Sequence, residues 1–160
     1  MKVEQLMAKK VSSCGRDDTL NDAARIMWER DCGFVPITER GANPRVVGVV
    51  TDRDVCIAAY TRGQTLRDMR IGDVMSSGIR SCKPSDDLAT AEATMRQAQV
   101  HRLVVVDDAD QLLGVISLAD IAREAAREFG SSRREVTASE IGETLAAIRQ
   151  PREIPASAAS

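Results

Sequence analysis

The strongest constraint on the fold is that the chain repeats itself. When the sequence is shifted by 68 residues against itself, seven identities fall in register. They are Met7 with Met75, Ser13 with Ser81, Cys14 with Cys82, Asp18 with Asp86, Leu20 with Leu88, Ala23 with Ala91, and Met27 with Met95. Further along the offset becomes 66, and Gly48 aligns with Gly114 and Asp54 with Asp120. The repeat predicts two units, 3–60 and 71–126, joined by a linker at 61–70 and followed by an extension at 127–160.

In both units the spacing of the apolar residues changes along the chain in the same order. This predicts the same helices and strands in each unit. A helix capped by Asp17 or Asp18 in the first unit, and by Ser85 or Asp86 in the second, is followed by two strands and another helix. The strands are predicted at 34–37 and 46–50, then at 103–106 and 112–116, with a short opening strand at Val11 or Ile79. Since a unit of about 55 residues buries little surface alone, we expect the two to pack together. The predicted fold class is α/β (α+β): two pseudo-twofold related repeats, each a small mixed sheet with helices packed on it. The extension predicts one more helix at 139–148 and a disordered tail at 151–160.

Composition narrows the function classes. The 160 residues are 43% hydrophobic and 29% charged, which is typical of globular domains, and no apolar run approaches the roughly 18 residues of a membrane span. No signal peptide is evident at 1–6, so we expect a cytoplasmic protein. A formal net charge of −2 and 2% aromatic residues disfavour nucleic-acid binding. Four scattered cysteines and the single His101 favour neither a metal site nor catalysis, so we expect no enzyme activity.

One motif occurs at the end of each unit: Gly48-Val49-Val50-Thr51-Asp52-Arg53-Asp54 and Gly114-Val115-Ile116-Ser117-Leu118-Ala119-Asp120. Thr or Ser followed three residues later by an acid is the spacing of a helix capping box. The same hydroxyl and carboxylate could instead bind a ligand. The two interpretations are compatible, although an acid engaged in a cap is less free for other partners.

These paired motifs resemble the cystathionine-beta-synthase (CBS) domain family in its tandem form, the Bateman module. The resemblance covers about residues 3–126 and includes the strand His101-Arg102-Leu103-Val104-Val105-Val106-Asp107 before the second motif. It implies two clefts between the repeats that hold an adenine nucleotide (AMP, ADP or ATP), with S-adenosylmethionine or NAD as further candidates and no required cofactor. It also implies a regulatory, signal-transducing homodimer that acts on an unidentified effector protein.

The resemblance implies a role for each candidate site residue. Asp54 and Asp120 would accept hydrogen bonds from the ribose hydroxyls, and Thr51 and Ser117 would contact phosphate. Arg53 would pair with phosphate in the first cleft, and His101 and Arg102 would do so in the second, where Leu118-Ala119 offers no cation. Adenine would lie near the opening strands, around Val11-Ser12-Ser13 and Ile79-Arg80-Ser81, which include the candidate residues Ser13 and Ser81.

Four alternatives stay open at this stage. The clefts could be empty and the chain a dimeric scaffold, in which case Asp54 and Asp120 serve only as caps. Nucleic-acid binding is a weaker alternative, whose sign would be steep salt dependence. Trp28 could contact a second subunit or be partly buried in the monomer, and Cys14 and Cys82, near the two clefts, could have a redox role.

Overall fold

The computed structural model describes residues 1–39, 41, 44–128 and 136–151. The first unit comprises β1 (Cys14–Gly15), α2 (Leu20–Glu29), β2 (Phe34–Thr38), β3 (Val46–Thr51) and α3 (Asp52–Arg62), after a short helix α1 (Val3–Leu6). The second comprises β4 (Ser81–Cys82), α4 (Leu88–Ala98), β5 (Arg102–Val106), β6 (Leu112–Ser117) and α5 (Leu118–Arg127). The helix predicted in the extension is α6 (Ala138–Ile148). The predicted tail lies, from residue 152 on, outside the described residues.

Each unit forms one small mixed sheet, in the order β1-β2-β3 or β4-β5-β6. The first strand of each sheet pairs parallel to the second, and the second pairs antiparallel to the third. The registers match across the units, because Phe34 lies opposite Thr51 and Arg102 lies opposite Ser117. The predicted α+β class with two related repeats is therefore confirmed.

The predicted starts of several elements are wrong by a few residues. The first amphipathic helix is capped by Thr19, which forms a capping box with Asp22, and the corresponding N-cap in the second unit is Asp87. Asp18 accepts a hydrogen bond from the Gly15 N–H at 2.7 Å, and Asp86 accepts one from the Lys83 N–H at 2.8 Å. These acids close the turns before the helices, and the opening strands form at β1 and β4, three and two residues after Val11 and Ile79.

The opening segment of each sequence unit packs on the other unit. The Val3 N–H in α1 donates to the Asp86 carbonyl at 3.0 Å, and the fully buried Val3 side chain belongs to the second core. In the equivalent place, the Ile71 N–H donates to the Asp18 carbonyl at 2.9 Å, and Ile71 is buried in the first core. This exchange ties the two units together, because neither core is completed by its own sequence repeat.

Helix α6 covers the second unit only. It packs against α4 and α5, and Ile148 joins the core that contains Met95 and Ile121. No described segment covers the equivalent face of the first unit, between α2 and α3, where 88% of Trp28 and 86% of Tyr60 is exposed. The alternative that Trp28 is partly buried in the monomer is therefore wrong.

Candidate functional site

A cavity of about 250 Å³ lies between the two units, and we call it the Asp120 cleft. Its walls come from the segment after α1, from the end of α2 and the start of β2, and from β5, β6 and the start of α5. The lining residues are Ala8, Lys10, Val11, Ser12, Ile26, Arg30, Cys32, Phe34, Arg102, Val115, Ser117 and Asp120. Both units contribute, so the shape of the cleft depends on how they pack.

The motif at the start of α5 is a complete capping box. The Ser117 N–H and hydroxyl donate to Asp120 Oδ2 at 2.8 and 2.5 Å, and the Asp120 N–H donates to Ser117 Oγ at 3.2 Å. Asp120 Oδ1 forms an ion pair with Arg123, whose side chain is 69% exposed. The capping interpretation is confirmed here, and the exposed Arg123 is the partner of Asp120 that a ligand could most easily replace.

Thr51 and Asp54 form the same box at the start of α3. The Thr51 N–H and hydroxyl donate to Asp54 Oδ2 at 2.9 and 2.7 Å. This pair lies at the pseudo-symmetric position in the first unit, outside the lining of the Asp120 cleft. Arg53 is exposed on the first turn of α3, where its N–H donates to Asp52 Oδ1 at 2.7 Å.

The Asp120 cleft brings together three of the predicted residues: Arg102, Ser117 and Asp120. His101 is not part of its lining. Burial has the largest effect on the pKa of its imidazole and lowers it, and the positive charges of Arg149 and Arg102 lower it further. The lowered pKa favours the neutral imidazole in the ligand-free chain, and the assignment of His101 to phosphate stays a prediction. Arg102 is half-buried beside it and lies opposite Ser117 across β5 and β6.

Neither of the two predicted serines lines the Asp120 cleft. Ser13 is exposed, with its Oγ 3.4 Å from Thr38 Oγ1, and Ser81 is exposed in β4. The residues immediately before Ser13, Val11 and Ser12, do line the cleft. Two of the three residues predicted on the first opening segment, Val11 and Ser12, therefore lie at the cavity.

Sequence reasoning missed two cationic residues of the cleft, Lys10 and Arg30. Lys10 lies on the segment that crosses to the second unit, and Arg30 is the C-cap of α2 in the first unit. Their proximity to Ser117 and Asp120 follows from the packing of the two units. No local pattern could have signalled it.

The two cysteines predicted near the clefts, Cys14 and Cys82, are poorly suited to a redox reaction. Cys14 and Cys82 are buried, and burial, assisted by Asp18 and Asp86 respectively, raises the pKa of their thiols to about 11 and about 12. Because the thiolate is the reactive form, neither is activated as a redox group. Among the described residues, no three His, Cys, Asp or Glu side chains cluster in a way that could hold a metal ion.

The fold and the cleft define a class of protein. It is a tandem of two small α+β repeats that exchange their opening segments and enclose a cleft of mixed apolar and polar lining between them. The chain belongs to the CBS domain family, which matches residues 3–60 and 71–127. It is 30% identical to the CBS domain-containing protein YhcV of Bacillus subtilis over 120 residues, 75% of this chain and 82% of that protein.

Solved structures share the fold. The CBS domain protein PAE2072 of Pyrobaculum aerophilum, complexed with AMP, superposes with a TM-score of 0.72 at 24% identity, covering 81% of this chain and 97% of that one. The CBS domain pair of protein MJ0100, in complex with 5′-methylthioadenosine and S-adenosyl-L-methionine, gives a TM-score of 0.69 at 19% identity, covering 83% and 98%. In the described part of this chain, no helix combines the length and hydropathy that crossing a bilayer requires.

Proposed function

We propose that this chain is a regulatory CBS-pair module that binds an adenine nucleotide in the Asp120 cleft and signals to a separate effector protein by conformational change. The observation that carries the proposal is the convergence of Arg102, Ser117 and Asp120, from one unit, on a cavity whose opposite wall comes from the other. The AMP complex of PAE2072 and the methylthioadenosine and S-adenosylmethionine complexes of MJ0100 support an adenosyl ligand.

The chemistry of the cleft suits the parts of a nucleotide. The Asp120 carboxylate can accept hydrogen bonds from the ribose hydroxyls once Arg123 turns away into solvent. The apolar side chains of Val11 and Ile26 offer a surface for the adenine ring. The cavity volume of about 250 Å³ is near the lower end of small-molecule pockets, which fits a nucleoside whose phosphates extend to the exposed rim.

The proposed signalling mechanism depends on the fact that both units form walls of the cleft. A ligand held by α2 on one side and by β6 and α5 on the other stabilises one relative packing of the units more than another. The open face of the first unit offers a surface on which another chain can detect such a change in packing. Trp28, Ile57 and Tyr60 are exposed on these helices. A shallow groove there is lined by Ala24, Met27, Trp28, Asp52, Val55 and Cys56. We propose that a second copy of the chain packs on this face to form a homodimer.

A ligand-free scaffold is the second candidate, and the complete capping boxes favour it. Both motif carboxylates already accept hydrogen bonds from their own helix starts. If caps were their only task, removing a carboxylate would lower stability and change no ligand response. In neither case do we propose an enzyme.

Thermal melting separates the two candidates. The chain is melted with AMP, ADP, ATP, S-adenosylmethionine or NAD, as wild type, Asp120→Ala and Glu140→Ala. Glu140 forms the same kind of capping box with Thr137 at the start of α6, outside the cleft, so its variant controls for the loss of a cap. A ligand at about 100 times its dissociation constant should add about 2.7 kcal/mol of stability.

We expect a nucleotide-induced shift in the wild type and in Glu140→Ala, and its loss in Asp120→Ala. If no nucleotide shifts the wild type, and both variants merely melt at lower temperature, the motifs are caps and the scaffold candidate replaces the sensor.

A further inference from the structure

We propose that α6 is a pH-sensitive cover of the second unit, which stays closed on α4 and α5 while the Glu92 carboxyl carries its proton and opens as that carboxyl ionises. The proposal concerns the extension after the second repeat. It requires neither a bound nucleotide nor a homodimer, so it goes beyond the proposed function.

The first observation is a carboxyl group buried beneath the cover. Glu92 on α4 is 5% exposed, and its Oε1 has no hydrogen-bond partner among the described residues. Arg96, one turn further along α4, donates to Thr144 of α6 at 2.8 Å, which places this side of α4 against α6. A negative charge on Glu92 in the closed form would lose its water without gaining a donor, so closure favours the protonated carboxyl.

Two charged side chains face Glu92 from the helices around it. Burial has the largest effect on the pKa of its carboxyl and raises it, the negative charge of Glu140 on α6 raises it further, and Arg96 opposes both. On α5, the other helix beneath the cover, the acids form ion pairs of their own: Asp120 with Arg123, and Glu124 with Arg127. Because opening would hydrate Glu92 and carry Glu140 away, the raised pKa belongs to the closed form.

Helix α6 is suited to open as a unit. It has 11 residues, and isolated helices shorter than about 12–15 residues are marginal in water. Gly142 within it lowers its helix propensity further. Only Thr144 and Ile148 are buried among its residues. The helix therefore depends on its contacts with α4 and α5, and its opening is a local step that leaves both sheets intact.

The equivalent face of the first unit has no such carboxyl. With the 68-residue offset, Glu92 and Arg96 correspond to Ala24 and Trp28, which line the groove between α2 and α3. The polar pair thus belongs to the face that α6 covers. Opening would make this face available to a second copy of the chain, as the face of the first unit already is. That consequence for assembly rests on the homodimer proposed above, whereas the cover itself does not.

Hydrogen exchange of the α6 amides, followed by mass spectrometry on the full chain, measures the opening equilibrium. Wild type and Glu92→Gln are compared at each pH between about pH 5 and pH 8, so that the intrinsic pH dependence of exchange cancels. Between the ordinary and the raised pKa of Glu92, the closed form holds one proton that the open form releases. We therefore expect the exchange rate of α6 in the wild type, relative to Glu92→Gln, to rise by up to about tenfold per pH unit and then to level off.

Glu143→Gln is the matched control. Glu143 is exposed on α6, so this variant removes the same charge from the cover without touching the buried site, and it should follow the wild type at every pH. Glu140→Gln gives a second test, because glutamine can keep the capping box with Thr137 while it removes the charge that faces Glu92. We expect a smaller total rise of α6 exchange across the same pH range.

Two results would overturn the proposal. One is a ratio between wild type and Glu92→Gln that does not change with pH, since ionisation of Glu92 would then have no effect on α6. The other is a rise shared equally by the amides of α2, since the whole chain would then open together. These measurements are made without nucleotide, so failure of the cover leaves the proposed function standing, and failure of nucleotide binding leaves the cover standing.

Discussion

Gly114 lies where the exchanged opening segment crosses the second sheet, and a single added methyl group there tests that crossing. A Cβ at Gly114 would be 2.6 Å from the Ala8 carbonyl oxygen and 3.1 Å from Met7 Sδ. The Ala8 backbone cannot move away freely, because its N–H donates to the Val115 carbonyl at 2.9 Å and its carbonyl accepts from the Val115 N–H at 3.1 Å. Gly114→Ala must therefore push the segment off the strand or strain β6, and overpacking of this kind costs about 1–3 kcal/mol.

Urea unfolding measures this cost. We expect Gly114→Ala to lower the midpoint without changing the m-value, and to lower Tm by about 2–4 °C for each kcal/mol lost. Gly142→Ala is the control: Gly142 is exposed within α6 with open space around its Cβ position, so alanine should stabilise the chain by about 0.5–1 kcal/mol. A Gly114→Ala variant as stable as the wild type would refute the argument that the segment lies tightly on the strand.

Two further predictions concern the helices of the units. Glu92 in α4 is 5% exposed, and burial together with Glu140 in α6 raises the pKa of its carboxyl, against the opposing effect of Arg96. Between the two pKa values the folded chain holds a proton that the unfolded chain releases. The free energy of unfolding therefore falls as pH rises from the ordinary glutamate range through the raised pKa. In thermal melts across that range, we expect Glu92→Gln to be more stable than the wild type at pH 7 and its Tm to depend less on pH. On the open face of the first unit, Trp28→Glu is expected to convert the proposed homodimer to a monomer in sedimentation velocity, and an unchanged sedimentation coefficient would contradict that interface.

The sequence predicted the elements well because their signals are local. The two apolar strands and the second helix of each unit lie within a residue or two of their predicted places, since hydrophobic period and helix caps act over a few residues. The errors at the first helices have a local cause as well. Asp18 and Thr19 are adjacent, and both residue types favour an N-cap, so the sequence alone could not tell the turn-closing acid from the cap.

The composition of the cleft was harder to predict because it depends on contacts far apart in the chain. Ser117 and Asp120 were found from their motif, but Lys10 and Arg30 meet them only after the opening segment has crossed between the units and α2 has packed beside them. Neither cation lies in a motif, and both are exposed residues of ordinary type. A search for charge differences between equivalent positions of the two repeats would have drawn attention to them, since their counterparts are Gly78 and Ala98.

The two repeats also differ on their outer faces, and helix α2 connects that difference to the cleft. Ile26 and Arg30, four residues apart on one side of α2, line the Asp120 cleft, while Trp28 projects from another side onto the open face. On the second unit the residue equivalent to Trp28 is Arg96, which donates to the buried Thr144 hydroxyl of α6 at 2.8 Å. A copy that approached the second unit would have to displace α6 and expose Ile148, whereas the first unit needs no such rearrangement. We therefore expect a homodimer to join first units, which would place one helix between the ligand and the partner subunit.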